Sequence, residues 1–271
     1  MQKMKVASVL ALTCAVVACG GGGSANEEKP ETVPHPEGRY DGFVFDASNG
    51  QSTGRSGQAL VVGARSFWLF YSAPGNPALI AGVVHADITA HSIAAFTSVN
   101  GRDFNFEGFG TTFGTRSASF KPRASIDVYG SSLISGAAGY FVGAYNGTFA
   151  QTPTLAAIAG TYIGTAATVA TGRQSGSGTI GADGSFSGSS GGCLSSGTFT
   201  PRPAADDNSS TSPRYGGNAY DVVLSFGGAP CAYPGQTWTG VAMYDADTKS
   251  ILVAAVNPGR TDAAAFAGTK P

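Results

Sequence analysis

The sequence predicts an all-β protein built from two small antiparallel β-barrels in tandem, and three features of the chain support that prediction. Its 271 residues include 40 glycines and 14 prolines, about a fifth of the chain, which disfavours long helices. From Gly38 onward, short alternating segments are separated by turn-forming residues, the pattern of a sandwich or barrel. The motif G-x-Y-x-G occurs at 38–42 and again at 160–164, and each copy opens a run of about eight strand-like segments.

Turn signals divide the chain into these strands. Dipeptides that tolerate positive φ predict tight hairpin turns at 49–50, 100–101, 146–147 and 183–184. After the second of these, Phe104 and Phe106 alternate with Asp103 and Asn105, which predicts a strand with one buried face.

A short helix is expected between the two repeats. Pro153 suits its first turn, and Leu155 and Ile158 would face one side. A helical plug followed by a G-x-aromatic strand resembles the opening of calycin-type small barrels, with Tyr162 where that family often has Trp. The chain is therefore divided into a first β-domain at 37–150 and a second at 151–271.

The N-terminus predicts export and lipid attachment. Lys3 and Lys5 precede an apolar run, Val6 to Ala18, whose 13 residues are too few to span a bilayer. The run ends in Val-Val-Ala-Cys, which resembles the lipobox of bacterial lipoproteins, so residues 1–18 are expected to be a signal peptide and Cys19 the acylated residue. The alternatives are an ordinary signal peptide with an incidental cysteine, or Cys14 as the acceptor.

Residues 19–36 predict a flexible tether. They begin with the lipid-bearing cysteine and four glycines, and almost no apolar residue follows. A flexible chain of this length spans on the order of 20–25 Å, enough to hold a folded body clear of lipid headgroups.

The lipobox, the Gly-rich tether and Gly-punctuated strands such as 139–149 together resemble lipid-anchored surface barrels of Gram-negative bacteria. The similarity is to the transferrin-binding-protein and factor-H-binding-protein kind. It implies an outer-membrane lipoprotein, and the absence of Asp after Cys19 favours the outer membrane, facing either the periplasm or the cell surface.

Charge excludes one class of partner. The chain has 16 basic and 17 acidic residues, a formal net charge of −1, and no basic patch for nucleic acid. The expected partners are the membrane, through the lipid, and a protein or small ligand.

Cys193 and Cys231 are predicted to form a disulfide. Cys193 starts one strand and Cys231 lies just past the end of another. If these strands pair as an antiparallel hairpin, the two cysteines meet, and an oxidising envelope favours the bond.

Three segments match sequence motifs of catalytic or nucleotide-binding sites but lack the helix that such sites need. G-x-S-x-G occurs at 50–54 and 188–192, and G-x-G-x-x-G at 176–181, but no helical pattern follows any of them. His85 and His91 flank Asp87 and would form only an incomplete zinc shell, so solvated polar residues near a turn are the favoured interpretation. We therefore expect no catalytic residue, no metal and no cofactor.

Two apolar features are candidate partner contacts. Segments 67–71 and 78–84 are apolar on both faces, so this hairpin, with Trp68 and Phe70, should pack against the second domain or against a partner. Phe109 and Phe113 lie in a Gly-rich loop that suits a rim. Ordinary core packing is the alternative for both.

These observations favour a lipid-anchored, non-catalytic binding or structural module for a protein or small ligand. The alternative is an envelope hydrolase acting on cell-wall or ester substrates. The sequence offers that alternative no paired acid, triad or metal set on suitable elements.

Replacing the lipobox cysteine tests the anchor. C19A removes the acylated thiol, so the protein should move from the membrane pellet to the soluble fraction, since stable anchoring needs the acyl chains. The measurement is fractionation with a carbonate wash, with C14A as the matched control that should stay in the pellet. C19A protein that remains in the washed pellet contradicts the prediction.

Overall fold

The computed structural model describes residues 35–63, 65–202 and 217–271, and its regular structure is almost entirely β. The predicted signal peptide, Cys19 and nearly all of the tether lie outside the described residues. Among the residues that the structure describes, no helix is long and apolar enough to cross a membrane.

The first barrel is an antiparallel sheet that closes on itself. Its strands are β1 (Gly38–Asp46), β2 (Ser52–Val62), β3 (Ser66–Ala73), β4 (Asn76–Asp87), β5 (Ala90–His91), β6 (Ala95–Asn105), β7 (Gly110–Lys121), β8 (Ser125–Ile134) and β9 (Ala137–Tyr145). Each strand pairs with the next along the chain except β4 with β5, β1 also pairs with β9, and β4 pairs with β6 to complete an eight-stranded ring. The two-residue β5 pairs only with β6 and stands outside that ring.

The second barrel follows a short 3₁₀ turn (Gly147–Ala150) and one helix. Its elements are α1 (Leu155–Ile158), β10 (Gly160–Thr168), β11 (Gly172–Ile180), β12 (Ser185–Ser190), β13 (Cys193–Pro201), β14 (Ala219–Phe226), β15 (Thr237–Asp245), β16 (Ser250–Val256) and β17 (Ala263–Thr269). All eight strands pair with their neighbours, and β10 closes the ring on β17. The predicted fold class, two tandem small antiparallel barrels, is confirmed.

The tyrosine of the repeated G-x-Y-x-G motif makes the same hydrogen bond at the start of each barrel. The Tyr40 hydroxyl donates to the carbonyl of Pro36 at 2.9 Å, and the Tyr162 hydroxyl donates to the carbonyl of Ile158 at 2.8 Å, each four residues earlier. Each buried tyrosine therefore fastens the incoming chain across the end of its barrel.

The last glycine of the motif is required by close strand contact. A Cβ at Gly42 would overlap the carbonyl oxygen of Val142 on the neighbouring strand, and one at Gly164 would overlap that of Ala267. Only glycine lets the first strand of each barrel approach its closing strand at this point.

The predicted hairpin turn at 100–101 is wrong. These residues lie within β6, where the pairing with β7 shifts between Ser98 and Gly101, as in a β-bulge. The Asn100 amide donates to the carboxylate of Asp87 at 2.7 Å, which holds the irregular segment on the neighbouring strand. The Asn100–Gly101 dipeptide therefore lies in a bulge within β6 and does not reverse the chain.

Residues 103–106 alternate between polar and apolar side chains on opposite faces, as predicted, but the polar face is buried as well as the apolar face. Phe104 and Phe106 pack outside the first barrel against the second, whereas Asp103 and Asn105 have no solvent exposure and hydrogen-bond with Tyr71. A polar network inside the barrel produces the same alternating pattern as a solvated strand face.

An apolar cluster joins the outer faces of the two barrels. Its buried members from the first barrel are Leu60, Val62, Trp68, Phe70, Ile80, Val83, Phe104 and Phe106, and those from the second are Ala167, Ala219, Val241, Met243, Ala254, Val256, Ala263 and Ala265. Trp68 and Phe70 are each 3% exposed. The hairpin that is apolar on both faces therefore packs against the second barrel, one of the two arrangements expected from the sequence, and these two side chains are not open to an external partner.

Three ion pairs surround this cluster and each joins one barrel to the other. Arg39 pairs with Asp245 at 3.1 Å, Arg173 with Glu107 at 3.2 Å, and Arg260 with Asp87 at 2.7 Å. The pairs are partly buried, so they add geometric specificity to an interface whose stability comes mainly from apolar burial.

The division into domains at 37–150 and 151–271 stays a prediction, and expression of the halves tests it. Each half contains a complete ring and its own inner apolar cluster, so each should fold alone. Each isolated half would expose its share of the joining cluster, so its thermal midpoint should lie below that of the intact body. Circular dichroism and hydrogen exchange provide the measurement. Two unfolded halves would show that the barrels share one cooperative core.

Candidate functional site

The second barrel encloses a cavity of about 150 Å³. Among the described residues, its wall is formed by aliphatic, aromatic and small neutral side chains, and none of those that line it is charged. The cavity is therefore an uncharged, mainly apolar space inside a rigid ring of strands.

Glycines at inward positions leave the space open. Gly178 on β11 and Gly188 on β12 lie against the ring of Phe186, and a Cβ at either position would press on that ring. Larger side chains at these two positions would take up part of the interior. The glycine content that makes helices unfavourable thus also determines the free volume of this barrel.

One end of the barrel is closed. Ile158 of α1 is fully buried and packs in the same cluster as Tyr162 and Phe199. The N-cap of α1 is Thr154, whose hydroxyl accepts the amide of Ala157 at 3.2 Å. The helix that the sequence predicted from Leu155 and Ile158 is therefore present and covers this end.

The opposite end is open to solvent. Phe186, Leu224, Phe226 and Phe266 line the cavity, yet each is only partly buried. A residue that faces the interior of a fully packed barrel would be shielded completely. The cavity is only partly enclosed, and the loops that line it lie at the end opposite α1, so solvent reaches it there.

Three loops form this mouth: residues 168–172 after β10, residues 190–193 after β12, and residues 227–236 after β14. The Cys193–Cys231 disulfide fastens the second of these to the third. β13 and β14 pair antiparallel with Ser195 opposite Phe226, so the hairpin predicted from the sequence is confirmed together with its bond.

Aromatic rings pack beside the disulfide at the mouth. Tyr233, on the loop after β14, lies 4.8 Å from Trp238 and 6.1 Å from Phe226, measured between ring centroids. Its hydroxyl donates to the carboxylate of Asp262. Burial is the main reason why the pKa of Tyr233 lies above its ordinary value, and the neighbouring Asp262 carboxylate raises it further. Tyr233 is therefore neutral throughout the physiological range.

Asp262 ties the mouth loops together. Its carboxylate also accepts the backbone amides of Val169 at 2.8 Å and Ala170 at 3.2 Å, both on the loop after β10. The side chain is 3% exposed. One buried carboxylate thus fixes two of the three mouth loops.

Neutral polar groups stand at the entrance. The side-chain carbonyl of Gln174 accepts a long hydrogen bond of 3.4 Å from the Ser190 hydroxyl, and both residues line the cavity. Amide and hydroxyl groups of this kind fix the orientation of a ligand without requiring it to carry charge.

Phe109 ends the loop between β6 and β7 of the first barrel, Phe113 is the fourth residue of β7, and each is 62% exposed. The guanidinium of Arg102 lies 3.8 Å from the ring centroid of Phe113, a cation–π contact. The prediction that these two rings form an exposed rim agrees with their positions, and their role as a contact remains to be tested.

A buried polar network shapes this loop. The Asn105 side-chain oxygen accepts the backbone amides of Glu107 at 2.7 Å and Phe109 at 3.3 Å. Its amide nitrogen donates to the Tyr71 hydroxyl, which in turn donates to Asp103 at 2.8 Å. The conformation of an exposed aromatic loop is thus determined inside the barrel.

The histidine segment does not assemble a metal shell. His85 is buried and packs 4.0 Å from Trp68 between ring centroids, and burial together with Arg260 holds the pKa of His85 well below its ordinary value. His91 instead lies 5.5 Å from His35, measured between ring centroids. In the described part of the chain, no group of three potential metal ligands comes together.

The G-x-S-x-G and G-x-G-x-x-G motifs lie on strands or at their ends. Ser52 opens β2, Ser190 ends β12 immediately before the turn into β13, and residues 176–180 belong to β11. The strand–turn–helix context that the nucleophile-elbow and dinucleotide motifs need is therefore absent at all of these described positions.

The cavity was missed by sequence reasoning. Its lining comes from many separate strands and loops, and an inward glycine or serine looks the same in sequence as an outward one. The one usable signal is the density of glycine on β11 and β12, where alternate inward residues are too small to fill a barrel.

No model of a known protein family matches this chain, and no curated protein matches it either. Function is therefore inferred from the barrels and the cavity themselves.

The buried carboxyl of Asp103 predicts a pH effect on stability. Burial raises the pKa of Asp103 to about 7, although hydrogen bonds from Tyr71 and Ser135 oppose the shift. Between its ordinary pKa and 7 the folded state binds a proton that the unfolded state does not, so this group's contribution to stability declines as pH rises through that range.

D103N removes the titration and tests this prediction. Relative to wild type, D103N should be most destabilised at pH 5 and should lose part of that deficit by pH 8, because comparison at each pH cancels the other titrating groups. Urea unfolding at a series of pH values measures the difference. A deficit that does not change with pH would show that Asp103 titrates at its ordinary value when folded.

Proposed function

We propose that this protein is a lipid-anchored envelope protein that binds a small ligand without transforming it, and that the cavity of the second barrel is the binding site. The single observation that carries the proposal is an uncharged cavity of about 150 Å³ that is open at one end. An open apolar pocket with a few convergent polar groups is the general form of a ligand site.

The lining supports binding instead of catalysis. The described residues of the wall offer hydroxyls and one amide, but no carboxylate, imidazole or amine that would serve as a general acid or base. The one sulfur at the wall, that of Cys193, is held in the disulfide and is not a free thiolate.

The volume limits what enters. An apolar cavity of about 150 Å³ accommodates a group the size of benzene, whereas complete drug-sized ligands need roughly 300 Å³ or more. The second barrel is thus suited to one ring or a short alkyl segment. The absence of charge on the described wall favours a neutral group, because a buried charge without a partner is costly.

Attachment to the outer membrane through Cys19 is the other half of the proposal. It is supported by the apolar run before Cys19, the resemblance of that segment to a lipobox and the tether behind it. The body would then be held near the bilayer while the mouth stays accessible to molecules in the envelope or at the cell surface.

Neighbouring serines on β13 provide a matched test. Ser195 lines the cavity, whereas Ser196 is exposed on the outside of the same strand. In the soluble body, residues 37–271, S195F should fill the cavity and abolish binding of 1-hexanol, while S196F should bind like wild type. Ligand-observed NMR measures binding, and hexanoate at pH 7.5 should bind far more weakly than the alcohol.

Folding of both variants is checked by circular dichroism and by the intact disulfide. If folded S195F binds 1-hexanol as wild type does, or if wild type does not bind it, the cavity is not the site.

A further inference from the structure

The β6–β7 loop of the first barrel lies at the mouth of the second barrel. The Thr111 hydroxyl donates to the carbonyl of Thr261 at 2.8 Å, and Thr261 immediately precedes Asp262, the residue that ties the mouth loops together. On the other side, the carbonyl oxygen of Phe106 lies 3.7 Å from the position that a Cβ on Gly172 would occupy. The loop and the start of β7 thus contact two segments that are connected to the mouth.

An ion pair holds the loop in this place. Glu107 accepts from Arg173, the second residue of β11, at 3.2 Å, and from Arg55 of its own barrel at 2.7 Å. Both pairs are partly buried, so the loop is attached to each barrel by a charged contact. Phe109 at the end of this loop and Phe113 near the start of β7 are therefore carried on backbone that is attached beside the mouth.

We infer that the rim formed by Phe109 and Phe113 extends the cavity into a single composite site, and that its ligand is a free amphiphile with one alkyl chain. This inference rests on the proposed function. The cavity holds only about six carbons of a chain, so the remainder of a longer chain must lie outside the mouth. Two exposed aromatic rings beside the mouth provide an apolar surface for that remainder.

The cavity admits one alkyl chain of the ligand and excludes its headgroup if that headgroup is charged. A cavity of about 150 Å³ has no room for a second chain beside the first, and its described wall has no charged group to pair with a headgroup. The headgroup of the amphiphile therefore stays in solvent beyond the rim. A bilayer surface is the other apolar partner that exposed phenylalanines would suit, but it would use the rim and leave the cavity without a role.

Chain length separates the cavity from the rim. In the soluble body, 1-hexanol fits within the cavity, whereas 1-decanol has four further methylenes that would reach the rim. F109S/F113S should leave the affinity for 1-hexanol within twofold of wild type and lower that for 1-decanol about tenfold, the loss expected when part of those methylenes returns to water. F43S/I93S removes two equally exposed apolar side chains outside the loop and is the matched control, since Phe43 is 59% and Ile93 66% exposed.

Each outcome decides one of the two ideas. If F109S/F113S binds both alcohols like wild type while S195F binds neither, the rim is not part of the site and the proposed function stands. If wild type binds neither alcohol, the proposed function itself fails. Co-sedimentation with phosphatidylcholine vesicles provides the last arm: binding of wild type that is lost in F109S/F113S would assign the rim to the membrane and overturn the composite site.

Discussion

Closing eight strands into a narrow ring is the constraint on which the rest of this structure depends. Neighbouring strands come so close at a few inward positions that any side chain would overlap a backbone oxygen, as a Cβ at Gly197 would overlap the carbonyl of Val223 and one at Gly240 that of Ala254. Glycine is the only residue that fits there. The unusual glycine content of the chain is thus a requirement of barrel closure before it is anything else.

The two barrels use the space left by glycine differently. In the first barrel, the side chain of Arg116 lies against Gly101, Gly114 and Gly130 and donates to the carbonyl of Ser132 at 2.8 Å, so a long polar residue fills the interior. Burial lowers the pKa of Arg116 to about 10, and the group remains charged at neutral pH. In the second barrel the ring of Phe186 lies next to Gly178 and Gly188, and a cavity remains. A filled barrel and an open barrel therefore follow the same opening motif, G-x-Y-x-G.

The interface between the barrels connects this difference to the proposed binding site. The first barrel buries its apolar outer face against the second. Glu107 of its β6–β7 loop and Thr111 of β7 attach it to segments near the open mouth. The filled barrel thus acts as a rigid support for the open one. The loop that Asn105 shapes from inside the first barrel carries Phe109 and leads into β7, which carries Phe113.

The sequence by itself determined the features that depend on local chemistry. Spacing and side-chain type account for the turns at 49–50 and 183–184, the short helix over Leu155 to Ile158 and the pairing of Cys193 with Cys231, and these are present. The repeated Tyr40 and Tyr162 are also present, each on the first strand of its barrel. The turn predicted at 146–147 instead leads into the 3₁₀ turn between the barrels. Only the tertiary structure decided which side each alternating residue faces. Asp103 and Asn105 form a polar strand face in sequence but lie inside a barrel, and Asn100 with Gly101 has the chemistry of a hairpin turn but forms a bulge. The cavity and its neighbouring rim were also decided only by the tertiary structure. They are formed by residues far apart in the chain that meet only when both rings have closed.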